Sequence, residues 1–410
     1  MSLVELLFWI GIGVLAYTYA GYPLLIRLAS LLRPRPVGSA DSPAELPLVT
    51  VLVIAYNEEA RIVERVRNLL ASDYPPERLQ ILIASDGSGD ATAQRACANG
   101  SRRVEVVEFP ERRGKSAVLN ELIPRARGEL VVLSDVRQRF EPAAIGVLVQ
   151  AFRTPDTGAV SGELMLERRS AQSEIREGAG FYWRYEKFIR RSESRVDSTV
   201  GCTGAIYAIR RALFQPIPES TILDDVLIPM LIARQGCRVR FESRARAYDD
   251  VPATARGEFT RKVRTIAGNF QLFRLQPWLL NPLRNRLWIQ TVSHKAVRLL
   301  SPLCLCAVLA LNVLLVAAPV YRYLLVAQGA FYAAAALGYG TRHMNWRPFF
   351  LSVPGTFCLL NAATVIAFVS LLRGRQSVTW DKPAVRGSRL RFGRFRRKET
   401  ARDRRSDMRA

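Results

Sequence analysis

Residues 49–62, VTVLVIAYNEEARI, decide the fold: an unbroken apolar and β-branched run stops at Tyr56-Asn57-Glu58-Glu59 and gives way to a helical pattern through Leu70. A run with no polar face forms a strand covered on both sides, as in parallel sheets. The same unit repeats outward from it. QILIAS (80–85) precedes Asp86-Gly87-Ser88-Gly89-Asp90 and a helix from about Asp90, VEVVEF (104–109) precedes a helix through Ser116–Leu122, and ELVVLS (129–134) ends on Asp135. Buried strands alternating with amphipathic helices predict an open α/β sheet with helices on both faces. Such sheets bind ligands beyond the carboxyl ends of their strands, which makes Tyr56, Asn57, Glu58, Asp86 and Asp135 the first candidates. Any one of them is an ordinary cap or turn residue; three such clusters in succession at one edge favour a ligand site.

Beyond this region, hydropathy takes over. Leu6–Leu25 is a charge-free stretch of about 20 residues, enough at about 1.5 Å per residue to cross a bilayer core. It starts with Glu5 and runs on to Arg27, unlike a cleavable signal peptide. Three more candidate spans follow at Leu299–Val320, Tyr323–Tyr339 and Phe349–Leu372, the last interrupted by Pro354-Gly355. The expected organisation is therefore a membrane segment (1–32), a globular domain (33–256), an amphipathic interfacial region (257–296), a membrane region (297–372) and a basic tail (373–410).

The chain has 410 residues and a formal charge of +23, much of it in that tail, where Lys and Arg outnumber Asp and Glu roughly threefold. Following hydrophobic segments, such a tail suits anionic membrane lipids better than nucleic acid. Four full spans would put it outside, against the positive-inside tendency. We therefore expect an inside tail, with one C-terminal segment, Phe349–Leu372 being the candidate, dipping in or lying obliquely. The six cysteines are scattered and the only histidines are His294 and His343, so neither a disulfide framework nor a zinc site is expected.

VTVLVIAYNEEARI, ILIASDGSGDATA, RRGKSAVLNELI and VVLSD, in that order and spacing, resemble the family 2 glycosyltransferases. The resemblance covers about 49–270, and the flanking segments are similar to the membrane-bound branch that includes cellulose and poly-N-acetylglucosamine synthases. It implies a GT-A nucleotide-sugar fold flanked by transmembrane helices. It further implies an inner-membrane, multi-pass enzyme with a cytosolic catalytic domain. The donor would be a nucleotide sugar, in the first instance a UDP-sugar, and the acceptor a membrane-associated glycan or lipid-linked precursor.

By the same resemblance, Tyr56, Asn57, Glu58 and Asp86 line the base pocket, and Lys115 and Asn120 lie near the diphosphate. Gly114-Lys115-Ser116 is no P-loop, since Phe109 stands where that motif needs glycine. The family's Asp-x-Asp motif holds Mg²⁺ or Mn²⁺, but here Asp135 is followed by Arg137 at the second position. Either Asp135 holds the cation with the diphosphate and waters, or Arg137 supplies part of the positive charge itself.

The glycine-rich segment Gly201-Cys202-Thr203-Gly204-Ala205 and the later Asp224-Asp225 match the acceptor-side motifs, making Asp225 the general base and Asp224 the counterpart of the family's Glu. Arg261-Lys262-Val263-Arg264-Thr265 matches Gln-x-x-Arg-Trp: Arg264 keeps its place near the diphosphate, Arg261 replaces the Gln, and Thr265 replaces the sugar-stacking Trp. Phe181–Lys187 is an aromatic and charged cluster whose rings stack on the acceptor sugar, sit at the lipid interface or pack against the core. Two alternatives stay open: a single-addition transferase rather than a polymerising synthase, and a non-catalytic, transferase-like membrane scaffold.

Overall fold

A computed structural model describes residues 1–32, 34, 45–98, 100–167, 177–250, 255–341 and 348–373. The predicted repeat forms the first half of one sheet. Strands β1 (Val49–Ala55), β2 (Leu79–Asp86), β3 (Val104–Phe109) and β4 (Leu130–Asp135) are all parallel, with β1 between β2 and β4. Alternate residues of β1 go to opposite faces, as the two-residue period requires. Val51 and Val53 join a core with Ile62, Val66 and Ile145, while Leu52 joins another with Leu119, Leu122 and Leu227. The first core lies under helices α3 (Ile62–Leu70), α4 (Thr92–Cys97) and α6 (Ala144–Ala151). The second lies under α5 (Lys115–Arg125) and α8 (Asp224–Arg234).

Helix α3 starts at Ile62, not at Glu58 where the sequence pattern predicts a helix over 58–70. Asn57 adopts a left-handed φ of 52°, and the Glu58 and Glu59 amides donate to Thr92 Oγ1 and Asp90 Oδ2, so these residues form a turn joining two loops.

The second half of the sheet was not foreseen. Beyond β4 the order continues through β7 (Tyr207–Arg210), β6 (Thr157–Glu167), β8 (Arg238–Asp250) and the short β5 (Arg139–Phe140). Antiparallel pairing of β7 with both β4 and β6 turns the parallel array into a mixed sheet. Strand β8 is rich in arginine, yet Arg238 and Arg240 are buried, their guanidinia donating to the carbonyls of Asp197, Ser194 and Ala151.

At the chain ends, α1 (Leu3–Ala16) and α2 (Tyr22–Leu32) join through a π-helical turn into one 30-residue helix. The remaining helices are α7 (Glu177–Val196), α9 (Ala255–Leu275), α10 (Trp288–Thr291), α11 (Val297–Leu314), α12 (Pro319–Gly340) and α13 (Phe349–Leu372). Among the described residues, three helical stretches are long and apolar enough to cross a membrane: Leu3–Leu32, Trp288–Leu314 and Phe349–Leu372. The fourth sequence candidate, Tyr323–Tyr339 within α12, is not among them.

Pro354 does not interrupt α13, which is continuous from Phe349 to Leu372. It packs along the domain, with Phe349 5.5 Å from Phe181 of α7 and Phe368 5.4 Å from Phe270 of α9, ring centroid to centroid. A buried polar network ties the apolar helices at the chain ends to α7. Tyr22 donates to Glu193 at 2.6 Å, His294 lies 2.9 Å from Glu193 and 3.0 Å from Glu186, and Glu186 pairs with Arg298. The aromatic cluster belongs to this junction: Tyr185 donates to the carbonyl of Tyr19, and Arg298 lies over its ring. The basic tail from 374 onward lies outside the described residues.

Candidate active site

The carboxyl ends of β1, β2 and β4 meet the N-termini of α5 and α8. Tyr56 follows β1, and the Arg112 guanidinium lies 3.8 Å above its ring. Asn57 accepts from the Gly89 amide at 2.9 Å, stitching the loop after β1 to the loop after β2, and Glu58 pairs with Arg61 at 3.8 Å.

Asp86 is buried, and its two carboxylate oxygens accept from the Arg113 and Gly114 amides at 2.7 and 2.9 Å. It thereby fixes the loop that leads into α5. Gly87 makes this approach possible, because a Cβ there would sit 2.3 Å from the Arg112 nitrogen. Asn120 bonds with both ends of its amide to the backbone of Ile217, at 2.7 and 2.9 Å, which engages it in anchoring the loop after β7.

The charged centre is built around Lys115, the first residue of α5. Its Nζ lies 3.2 Å from Asp135 at the end of β4 and 3.2 Å from Asp224 at the start of α8, joining two elements distant in sequence. Burial alone would lower the Lys115 pKa, but the charges of Asp135, Asp224 and Asp225 outweigh it and raise the value. Burial would likewise raise Asp135, yet Lys115 and Arg137 hold its carboxyl below the usual range. Arg264 of α9 feels Asp224, Asp135 and Asp225, which brings it to the same centre.

Asp225 stands apart from its neighbours electrostatically. Its Oδ2 accepts from the Gly204 amide at 2.8 Å, and its backbone carbonyl accepts from Cys202 at 2.7 Å. The glycines of the Gly-Cys-Thr-Gly segment permit this fit: a Cβ on Gly204 would lie 3.1 Å from Asp225 Oδ2, and Gly201 has a φ of 83°. Burial and the adjacent Asp224 charge push the Asp225 carboxyl up to about 6, against the pull of Lys115 and Arg190. A carboxylate with that pKa is ionised at neutral pH yet basic enough to take a proton. Asp224, by contrast, is 5% exposed, pairs with Lys115 and receives the Tyr207 hydroxyl at 3.4 Å.

One group here escaped the sequence reading. Asp249, near the end of β8, lies 3.1 Å from Arg137 Nε, 3.2 Å from Gln138 Nε2 and 3.9 Å from Arg261 Nη1. In sequence it reads as one of two solvated aspartates ending a charged stretch, and only the pairing of β8 with β6 and β5 buries it.

A mixed sheet with a parallel nucleotide-binding half and an acidic centre at its carboxyl edge defines a GT-A fold. In the solved structures it is matched by a mannosyltransferase from Pyrobaculum calidifontis in complex with GDP-Man and Mn²⁺, with a TM-score of 0.67 and 24% identity, covering 90% of this chain and 100% of that one.

Two family models match, Glycosyl transferase family 2 over residues 50–217 and Glycosyl transferase family group 2 over 138–365. The chain belongs to glycosyl transferase family 2. A poly-beta-1,6-N-acetyl-D-glucosamine synthase of Staphylococcus aureus is 25% identical over 236 residues, 56% of each chain. An N-acetylglucosaminyltransferase of Azorhizobium caulinodans is 28% identical over 175 residues, 42% of this chain and 44% of that one. The chain thus spans about half the length of the curated relatives it matches.

The residues around Asp135 do not compose a divalent-cation site in this arrangement. Among the described residues no three His, Cys, Asp or Glu side chains converge as ligands. Asp135 already faces Lys115 and Arg137, and a guanidinium offers a cation no lone pair.

Proposed function

We propose that the chain moves a sugar from a nucleotide-sugar donor to a hydroxyl of a membrane-associated glycan or lipid-linked acceptor, with inversion at the anomeric carbon. The observation that carries this reading is Asp225, a half-buried carboxylate raised to about 6 and held by Gly204 beside the Lys115–Asp135 pair. In a single in-line displacement, the acceptor oxygen forms its bond to the anomeric carbon as its proton passes to Asp225. The nucleoside diphosphate leaves from the opposite face with the electron pair of the broken bond. Tyr56 offers an aromatic face to the base, with Asn57, Glu58 and Asp86 shaping the pocket, while Lys115, Arg261 and Arg264 serve the diphosphate.

Family membership and the names of the two curated relatives make UDP-N-acetylglucosamine the first donor to test, and the mannosyltransferase's GDP-Man the second. The three apolar helices support attachment to a membrane. Three crossings would also return residues beyond 372 to the side of the catalytic domain, where a basic tail meets anionic lipid without breaking the positive-inside tendency. The test is release of UDP or GDP from UDP-sugars and GDP-Man by the full chain in lipid. Turnover abolished by Asp225→Asn is expected. Nucleotide binding without turnover on any donor would move the reading to the scaffold.

A further inference from the structure

We propose that Arg137, seated by Asp249 beside Asp135, takes the place of a divalent cation in holding the donor's diphosphate, so that this chain binds its nucleotide without metal. The inference rests on the transferase reading above and specifies how that site handles charge. Three observations converge on it.

First, Arg137 occupies the turn immediately after β4, two residues beyond Asp135, at the sheet edge where the diphosphate is expected. Second, it is a built position rather than a solvated side chain. Asp249, only 6% exposed, lies 3.1 Å from Arg137 Nε and is itself fixed by Gln138 at 3.2 Å, while Asp135 lies 3.7 Å from Arg137 Nη2. Asp249 and Asp135 hold the guanidinium between them as ion pairs, and its planar fork matches two phosphate oxygens, which a flexible ammonium cannot do.

Third, the charges around Asp135 are already balanced by cations. Lys115 sits at 3.2 Å and Arg137 at 3.7 Å, and Arg264 and the buried Arg65 both feel the Asp135 charge. A divalent ion placed here would have to compete with Lys115 for Asp135 and Asp224 and with Arg137 for Asp135 and Asp249, since each of these carboxylates already faces a cation. A diphosphate would meet guanidinium and ammonium groups, with Asp135 yielding its place beside Arg137 to a phosphate oxygen. During transfer, the negative charge that appears on the leaving phosphate oxygen as the anomeric C–O bond breaks is then met by Arg137 and Arg264. The acceptor proton goes to Asp225, and no metal enters the balance of atoms or charge.

The test measures binding of UDP and GDP to the full chain in lipid nanodiscs by calorimetry, once with EDTA and once with Mn²⁺. The expected result is an affinity that changes by less than about threefold between the two. Arg137→Ala should weaken binding by about ten- to a hundredfold, the range for losing a charge-assisted hydrogen bond, and Arg137→Lys by less. Arg137→Ala leaves Asp249 without its closest cation, so its melting curve is recorded alongside. Should it fail to fold, Arg137→Lys and the wild-type comparison in EDTA decide. Binding that strengthens more than about tenfold with Mn²⁺ overturns this inference and leaves the transferase reading intact. So does a folded Arg137→Ala that binds like wild type. Absence of UDP and GDP binding in both conditions refutes the transferase reading, and this inference with it.

Discussion

Replacing Asp225 by Asn separates catalysis from stability in a way that a merely structural carboxylate would not. An Asp carboxyl raised from 3.8 to about 6 is harder to ionise in the folded protein than in the unfolded chain. At about 1.4 kcal/mol per tenfold, the ionised form carries a cost of up to about 3 kcal/mol at neutral pH. The sign follows from proton binding. Between pH about 4 and 6 the folded state holds the proton and the unfolded state does not, so wild-type stability falls as the pH rises through that window and is level above it.

Asparagine does not titrate and keeps an oxygen for the Gly204 amide. Asp225→Asn should therefore be more stable than wild type at pH 7.5, by about 1–3 kcal/mol after allowance for partial solvation, with the difference gone near pH 4. Its turnover should fall at least about a hundredfold while nucleotide affinity stays within about threefold. Wild-type kcat/KM should decline below pH about 6. Thermal melting at pH 4–8 and nucleotide-release kinetics in nanodiscs read all of these. Turnover within tenfold of wild type, or a melting difference independent of pH, would refute the assignment of Asp225 as the base.

Three further outcomes follow from the geometry. Lys115→Met strips Asp135 and Asp224 of their shared partner; it should cost about 3 kcal/mol of stability at neutral pH, less at low pH where the carboxylates protonate, and weaken UDP binding, as denaturation and calorimetry would report. Gly204→Ala brings a methyl to 3.1 Å from the Asp225 oxygen, so kcat should drop about tenfold with KM nearly unchanged in steady-state assays. Asn120→Ala orphans both polar groups of the Ile217 backbone, which predicts a loss of about 1–3 kcal/mol with no change in nucleotide affinity; a selective loss of affinity would return Asn120 to the binding site.

The parallel half of the sheet was legible because burial on both faces forces continuous Val/Ile/Leu runs, and their shortness and the turn residues that bound them distinguish them from apolar helices. The mixed half was not. Strand β8 reads RVRFESRARAYDD, and its buried arginines satisfy themselves on carbonyls supplied by distant loops, a solution with no local signature. Asp249 was hidden for the same reason. Local spacing also misleads where a side chain is captured by a segment far along the chain. Asn120 follows Lys115 on one helix, yet its amide is taken by Ile217, 97 residues on. Asp86 was correctly read as a strand-end carboxylate, but its two bonds to the loop before α5 depend on Gly87, whose second function as a close-contact site only the packing reveals.

If α13 crosses a bilayer, as proposed above, its packing along α9 couples the membrane mechanically to the active site. Phe368 rests on Phe270, less than two turns from Arg264 on the same helix, while Val365, Ile366 and Phe368 itself are exposed. A change in bilayer thickness that tilted α13 would then press on α9, and a displacement of about 1 Å at a reacting centre can cost about a hundredfold in rate. Acyl-chain length should then change turnover while leaving every proposed catalytic side chain chemically untouched, which nucleotide-release kinetics in nanodiscs of short- and long-chain lipids would check.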